Sequence, residues 1–213
     1  MPSRETILAG IPNVRRIENF ETSQMQELCM ELTHAVYPHE EIYGQFCTLQ
    51  KYVDCPPEEA FAYLRDPMNL AEWTYSMRGF EPTEDPNVLV SLDRIGESTR
   101  IYTRTVTNQD ARTVDFHCAW DQSQDLWMIY LMRVVSAELV LDRPGSVILW
   151  SNCKHPYYDE NPFPGTVPQG RSVWVGDLWP FFYAGHLVEM KNLKAILEHR
   201  HATRSGVAEE KAA

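Results

Sequence analysis

The feature that most constrains the fold is a series of six strand-like segments separated by turn residues. These segments are 78–82, 88–92, 98–107, 111–120, 126–141 and 146–154. The last two are joined by the sequence DRPG at 142–145, in which proline presets one turn position and glycine tolerates a positive φ. Because consecutive strands joined by hairpin turns pair side by side in opposite directions, the sequence predicts an antiparallel sheet.

Helical patterns precede the six segments. Apolar residues recur at helical spacing over 23–36, which predicts a helix ahead of the main domain. A strand-like run at 46–55 follows. The sequence PPEE at 56–59 then opens a short helix, because proline is favoured at the first helical position. A second short helix is predicted at 67–73.

A long helix is predicted to close the fold at 177–200. It follows a loop rich in proline and aromatic residues at 155–177, and the residues after it have no apolar face. We therefore expect an N-terminal helical extension at 1–45, one domain at 46–200 and a disordered tail at 201–213.

Composition and motifs narrow the class of protein. The net charge of −11 argues against binding nucleic acid, and no apolar window is long enough to predict a membrane span. The five scattered cysteines contain no CxxC pair, so neither a disulfide framework nor a zinc ribbon is indicated, and a reducing cytoplasm fits best. The absence of GxSxG, GxGxxG, P-loop and HExxH motifs gives no support to serine hydrolases, Rossmann dehydrogenases, P-loop NTPases or zincins.

Two segments resemble the START-like helix-grip proteins of the SRPBCC superfamily. The first, YVDCPPEEAFAYLRDPMNLAEW at 52–73, is similar to the opening of these proteins, and the second, MKNLKAILE at 190–198, to the C-terminal helix of the polyketide cyclase/dehydratase branch. The resemblance implies an α+β helix-grip fold, in which the run at 46–55 and the six later segments form a curved antiparallel sheet around the long helix. It also implies a deep cavity for a mostly apolar small molecule.

The final helix carries two titratable residues on its apolar face. At about 100° per residue, His186 and Glu189 lie within about 60° of Leu193, as do Phe182 and Met190. One interpretation is that His186 and Glu189 satisfy one another or backbone groups in the core. The other is acid/base chemistry, with His186 as the proton-transfer group and Glu189 as its orienter or partner acid. In a helix-grip protein this face would turn toward the cavity.

The last strand and the residue that follows it offer a second polar group. If the strand is solvated on its outer side, its alternation predicts that Ser151 and Cys153 point inward, with His155 at the cavity mouth as a second polar contact. Cys153, His155, His186 and Glu189 are individually acceptable ligands for zinc or iron. No metal signature is matched, so we predict hydrogen-bonded catalytic side chains and no metal or other cofactor.

Further candidates for substrate contacts lie on other strands and near the final helix. The apolar face of 111–120 contains Phe116 and Trp120, which leaves His117 on the opposite face as a surface or edge residue. Polar candidates that could hold a carbonyl or phenolate oxygen, or equally lie on the surface, are Tyr102, Arg104 and Tyr130. Apolar candidates are Trp179, Phe182, Met190 and Leu193. The loop at 156–168 is either a packed connection or a lid.

We predict an enzyme of specialised metabolism that acts by general acid/base chemistry on a hydrophobic, aromatic or polyketide-like substrate. The reaction would be a cyclisation, a dehydration or a related elimination in an enclosed cavity. A protein that only binds or carries a hydrophobic ligand is the alternative, and a metal-dependent lyase or hydrolase is a second one. The expected partner is a small molecule, and a homodimer is compatible with the sequence.

Overall fold

The computed structural model describes residues 3–36, 46–96, 99–122, 125–171 and 173–206. Within these residues the α-helices are Arg4–Ala9 (α1), Thr22–Val36 (α2), Pro57–Leu64 (α3), Leu70–Trp73 (α4), Ala137–Leu141 (α5) and Phe182–Arg204 (α6). The strands are Phe46–Val53 (β1), Met77–Pro82 (β2), Val88–Asp93 (β3), Thr99–Asn108 (β4), Thr113–Trp120 (β5), Met128–Ser136 (β6) and Ser146–Cys153 (β7). Short 3₁₀ helices cover Pro67–Asn69, Pro156–Tyr158, Pro164–Thr166 and Val175–Phe181.

The seven strands form one sheet in the order β1-β7-β6-β5-β4-β3-β2. Every neighbouring pair is antiparallel, and β2 to β7 follow one another as a meander. Strand β1 comes first in the chain, but its partner in the sheet is β7, the last strand of the meander. The predicted α+β fold, with a curved antiparallel sheet and a closing helix, is confirmed.

The predicted turn at 142–145 is present, but the segment before it differs from the prediction. Strand β6 ends at Ser136, and Ala137–Leu141 forms the short helix α5 instead of continuing the strand. The sequence AELVL contains good helix formers, and Asp142 stops this helix with a φ of 51°. Gly145 then has a φ of 105°, and a Cβ added there would come within 2.6 Å of the Val53 carbonyl oxygen.

The closing helix begins in two stages. Val175–Phe181 is a 3₁₀ helix that contains Pro180, whose missing N–H removes one α-helical hydrogen bond, and α6 starts after it at Phe182. Helix α6 continues to Arg204, four residues beyond its predicted end. Residues 207–213 of the predicted tail lie outside the described residues.

The N-terminal segment packs onto the domain. Met25 and Cys29 of α2 form an apolar cluster with Tyr75 and with Ala184 and Val188 of α6. Asn192, which is fully buried, accepts a hydrogen bond from the Arg15 backbone N–H at 2.6 Å and donates to the Arg15 and Trp73 carbonyl oxygens. One amide side chain of α6 therefore joins the extension to the end of α4.

None of the helices in the described ranges combines the length and apolar character needed to cross a bilayer.

Candidate functional site

A cavity of about 220 Å³ lies between the inner face of the sheet and α6. Its sheet wall is largely aromatic and includes Phe116, Trp120, Tyr130 and Trp150. Helix α2 of the N-terminal extension closes part of it, together with the segment that joins α4 to β2. The resulting space is an apolar pocket lined by the sheet, by α2 and by α6.

His186 faces this cavity from α6 and is surrounded by aromatic rings. Its ring centroid lies 4.4 Å from that of Trp150, 5.1 Å from that of Phe182 and 5.5 Å from that of Tyr130. Burial lowers the pKa of His186 to about 3 because a charged imidazolium would have lost its hydration. The imidazole is therefore neutral at neutral pH.

The thiol of Cys47 on β1 lies beside the His186 ring, with Sγ 3.8 Å from Nδ1. Burial raises the pKa of Cys47 to about 12, so the group is a protonated thiol at neutral pH. This thiol can donate to Nδ1, an arrangement in which Nε2 carries the ring proton and is the hydrogen-bond donor of the neutral imidazole.

Glu189 lies one turn along α6 from His186 and also lines the cavity. Its Oε1 accepts a hydrogen bond of 2.9 Å from the Tyr75 backbone N–H. Burial raises the pKa of Glu189 to about 7, and the Tyr75 N–H offsets only part of that shift. Both protonation states of this carboxyl group are therefore populated near neutral pH.

A second carboxyl group, from Asp93 at the end of β3, lines the same cavity. Burial raises its pKa, and hydrogen bonds from Ser76 and from the backbone of Ile95 act in the opposite direction. The charge of Asp93 also contributes to the raised pKa of Glu189. The two acids thus disfavour each other's ionisation, as paired carboxyl groups do.

Arg78 is the cation that acts on both acids, but its guanidinium is bonded elsewhere. It donates to Glu18 at 2.5 and 2.7 Å and to the backbone carbonyls of Thr74, Tyr75 and Met77. Among the described residues, no cation forms an ion pair with Glu189. The acidic end of the cavity is therefore left without a direct counter-charge.

Comparison with known proteins identifies the fold. No protein-family model and no curated protein matches the sequence. An uncharacterised protein from Bacillus thuringiensis and the protein XoxI from Bacillus cereus each superpose with a TM-score of 0.51, at 13% and 14% identity. They cover 71% and 72% of this chain and 98% and 95% of their own chains. The Zhui aromatase/cyclase from Streptomyces sp. R1128 superposes with a TM-score of 0.50 at 13% identity, and the match covers 73% of this chain and 94% of that one.

The chain has an α+β helix-grip fold and shares it with the Zhui aromatase/cyclase. At identities this low the similarity establishes the fold alone.

Several residues predicted to contact the substrate do line the cavity of this helix-grip fold. They are His186, Glu189, Phe116, Trp120, Tyr130 and Phe182. Three others, Trp179, Met190 and Leu193, are buried at 4%, 0% and 0% exposure but are not among the cavity-lining residues. They hold α6 and the segment before it against the sheet, so they act on the cavity through packing.

The prediction that Ser151 and Cys153 point inward is wrong. Trp150 and Asn152 are the inward residues at this end of β7, whereas Cys153 is exposed and the Ser151 hydroxyl lies 3.0 Å from that of Thr48 on the outer face. Both faces of β7 are apolar in its first half, where Val147 and Leu149 alternate with Ile148 and Trp150. The alternation therefore did not distinguish the inner face from the outer one.

Tyr102 and Arg104 also lie on the outer face of the sheet. Their neighbours Ile101 and Thr103 line the cavity, and the alternation of β4 turns Tyr102 and Arg104 away from it. Arg104 donates to Asp85 at 2.8 Å on that side. His117 lies on the outer face of β5, as predicted.

His155 and the loop after it are packed against aromatic side chains. The His155 ring lies 5.3 Å from that of Trp127, and its Nδ1 accepts a hydrogen bond from the Tyr157 backbone N–H at 3.2 Å. Tyr158 is buried between Trp179 and Phe182, with ring centroids at 4.9 and 5.4 Å. Of the two interpretations of this loop, the contacts support a packed connection.

The proposed metal ligands do not converge. Cys153 is exposed, His155 is held in the loop, and His186 and Glu189 face the cavity. No group of three metal-ligating side chains in the described part of the chain contains any of these four residues.

Sequence reasoning missed four cavity residues, three of them ahead of the predicted domain and one within it. Met25, Gln26 and Cys29 of α2 line the cavity, as does Asp93 of β3. The apolar period of α2 was visible in the sequence, but it gave no indication of what the helix packs against. Asp93 ends an exposed-looking hairpin strand, and no local pattern marks its burial.

Proposed function

We propose that the cavity binds a small apolar ketone and that Glu189 exchanges protons with it, so that the protein is an enzyme of the cyclase or dehydratase type. The observation that carries this proposal is the environment of Glu189. It is a cavity-lining carboxyl group with a pKa raised to about 7 by burial, bonded to a backbone amide. An acid/base group is most effective when its pKa lies near the working pH.

The lowered pKa of His186 assigns it a different role from the one expected from the sequence. A histidine with a pKa of about 3 is a poor acceptor of protons at neutral pH. A neutral imidazole that carries its proton on Nε2 can instead donate a hydrogen bond to a substrate oxygen, and it stabilises that oxygen as negative charge develops. We therefore assign proton transfer to Glu189 and oxygen binding to His186.

The proposed step balances within one substrate molecule. The Glu189 carboxylate removes a proton from the carbon next to a carbonyl group, and the resulting enolate oxygen accepts a hydrogen bond from His186. The enolate carbon forms a bond to a second carbonyl carbon of the same molecule, whose oxygen becomes an alkoxide. Protonated Glu189 returns the proton to this alkoxide. A later loss of water completes a dehydration, and no other reactant is needed.

The size and walls of the cavity support a compact aromatic or polycyclic substrate. A volume of about 220 Å³ is below the usual range for drug-sized ligands, which begins at about 300 Å³. Aromatic walls favour flat rings through stacking and edge contacts. The structurally similar Zhui protein is an aromatase/cyclase, and we propose the same class of reaction for this chain.

Proton exchange with solvent tests the proposal before the natural substrate is identified. The purified protein is incubated with 1-tetralone or 2-tetralone in D₂O near neutral pD, and deuterium uptake at the α-carbon is followed by NMR. We expect exchange to be faster with the wild type than with Glu189→Gln by a factor of about 10²–10⁴. Binding, measured through tryptophan fluorescence, should change little, because the amide keeps the shape of the side chain.

The matched control is Glu198→Gln, which alters a glutamate of the same helix outside the cavity. It should exchange protons at the wild-type rate. If Glu189→Gln exchanges as fast as the wild type, the assigned role is wrong. If the wild type binds both ketones but exchanges them no faster than buffer does, the protein is a carrier and the enzymatic proposal fails. Absence of binding to either ketone removes the proposed ligand class.

A further inference from the structure

Cys55, Glu59 and His201 bring three different metal-ligating atoms together at the end of the molecule where α6 ends. A sulfur, a carboxylate oxygen and an imidazole nitrogen all lie within 4.8 Å of one another. Among the described residues, no other group of three such side chains has its ligand atoms this close together. It is separate from the cavity, since none of the three lines it.

The three ligands come from elements that the fold holds in fixed positions. Cys55 is 2% exposed and lies just before α3, Glu59 is in the first turn of α3, and His201 is in the last turn of α6. The side chains of Glu59 and His201 are 34% and 31% exposed, so the group has a buried sulfur at its floor and two ligands at its rim. Solvent therefore reaches the group from one side.

The charges around the group suit a divalent cation. A thiolate and a carboxylate with a neutral imidazole carry two negative charges, which balance one M²⁺ ion. The carboxylates of Asp54 and Glu198 add negative potential at Cys55. The nearby Arg200 is bonded to Glu72 at 2.8 and 2.9 Å and so is already paired.

Arg204 is the cation that competes for Glu59. Its Nη1 lies 3.7 Å from Glu59 Oε2, and its side chain is 68% exposed. A long, exposed arginine at this distance contributes only a weak ion pair. It can turn into solvent without disturbing the core when an ion binds.

We propose that Cys55, Glu59 and His201 form a binding site for a transition-metal dication of the Zn²⁺ class. A mixed sulfur, nitrogen and oxygen set selects such ions over Mg²⁺ and Ca²⁺, which prefer oxygen ligands alone. Zinc binds thiolate at about 2.3 Å and imidazole at about 2.0–2.1 Å, so the three ligand atoms move closer together when the ion binds. Water fills the fourth position from the open side.

Binding exchanges a proton for the metal. The Cys55 thiol loses its proton to solvent, its sulfur takes the ion, and the Arg204 contact with Glu59 is released. Metal coordination favours the thiolate over the thiol, so the proton leaves as the ion binds. The bound ion would join α3 to the last turn of α6 and fix the end of the helix that carries His186 and Glu189.

Cobalt and zinc titrations test this site. Full-length protein freed of metal with a chelator is titrated with CoCl₂ and then with ZnCl₂. We expect one equivalent of Co²⁺ to give a thiolate charge-transfer absorption band, and Zn²⁺ to abolish that band by displacement. Cys55→Ser should remove the band and weaken Zn²⁺ binding by at least about 100-fold, because even residues that only orient a ligand are worth 10- to 100-fold in metal affinity.

Two further variants and two controls make the result independent of folding. Glu59→Gln and His201→Asn alter part-exposed side chains, leave Cys55 in place, and should each weaken Zn²⁺ binding at least tenfold. Cys153→Ser and His199→Asn alter exposed residues of the same types and should bind like the wild type. A wild type without the Co²⁺ band, or a band that survives Cys55→Ser, would overturn the proposal.

Discussion

Glu72 on α4 is buried and Glu189 on α6 is partly buried, and their partners differ. Glu72 is 1% exposed and receives hydrogen bonds from Arg4, Arg200 and the Tyr63 hydroxyl at 2.5 to 2.9 Å. Glu189 receives one bond from a backbone amide and faces a cavity. A buried acid with charged partners is a structural connection, whereas one without them is poised to change its protonation.

The position of the partners explains what Glu72 does. Arg4 belongs to α1 of the N-terminal extension and Arg200 to the last part of α6, so their bonds to Glu72 connect three helices. Among the described residues, Glu189 is bonded only to the Tyr75 backbone N–H and joins no helices through charged groups. The comparison teaches that burial by itself does not identify a functional acid, because the identity of the bonded groups decides its behaviour.

The largest effect on stability is expected for a substitution of Glu72, the acid that is paired with two arginines. Glu72→Gln removes the negative charge and leaves two guanidinium groups and a phenol facing a neutral amide. Breaking a buried ion pair costs about 3–5 kcal/mol, and the partial exposure of both arginines places this case near about 3 kcal/mol. Urea denaturation measures the loss. Glu81→Gln, at an exposed position of β2, should be neutral, and an equally neutral Glu72→Gln would contradict the comparison.

A substitution of Glu189 is expected to change the stability in the opposite direction, by raising it. Its pKa is raised from 4.5 to about 7, so the folded state favours the protonated form, and that stabilisation is complete below pH 4.5 and lost as the pH rises through 7. Glu189→Gln, which stays neutral, should therefore be more stable than the wild type at pH 8 by up to about 3 kcal/mol.

Denaturation curves at several pH values measure this difference. It should shrink to nearly zero by about pH 3.5, a unit below the unfolded pKa of 4.5, because the wild-type carboxyl group is then protonated in both the folded and the unfolded state. A wild type that gains stability relative to Glu189→Gln between pH 5 and 8 would show that a cation compensates Glu189 after all.

A smaller effect is expected at one partner of Glu72. Tyr63→Phe removes the 2.6 Å hydrogen bond to Oε2 and leaves both arginines in place. A hydrogen bond to a charged group contributes about 1.5–3 kcal/mol, and we expect the lower end because Arg200 also bonds that oxygen. The thermal midpoint should fall accordingly, and the fall should vanish in a Glu72→Gln background. Additive losses in the double variant would show that Tyr63 acts elsewhere.

The fold and the direction of the final helix were predictable from local pattern. The spacing of apolar residues along α6 placed His186 and Glu189 on one face, and both do line the cavity. The alternation of β5 correctly separated Phe116 from His117, because its apolar residues occupy one face only. In each case one local period carries the information.

The rest of the site depends on contacts between residues distant in sequence. Asp93 lines the same cavity as residues of α2 and α6, and no residue near it in sequence indicates that. The same applies to Glu72, whose partners Arg4 and Arg200 are 68 and 128 residues away. Strand β7 was misassigned for a local reason, since apolar residues on both of its faces gave no preferred side.

The placement of α2 against the cavity separates ligand choice from the sheet. Met25, Gln26 and Cys29 belong to a segment that precedes β1, and the strands keep their pairing whatever side chains this segment presents. Met25 and Cys29 also pack against α6, so replacing them would change the shape of the cavity together with the seat of α2 on that helix. Variation in this segment therefore alters the cavity through helix packing, while other residues make the backbone hydrogen bonds of the sheet.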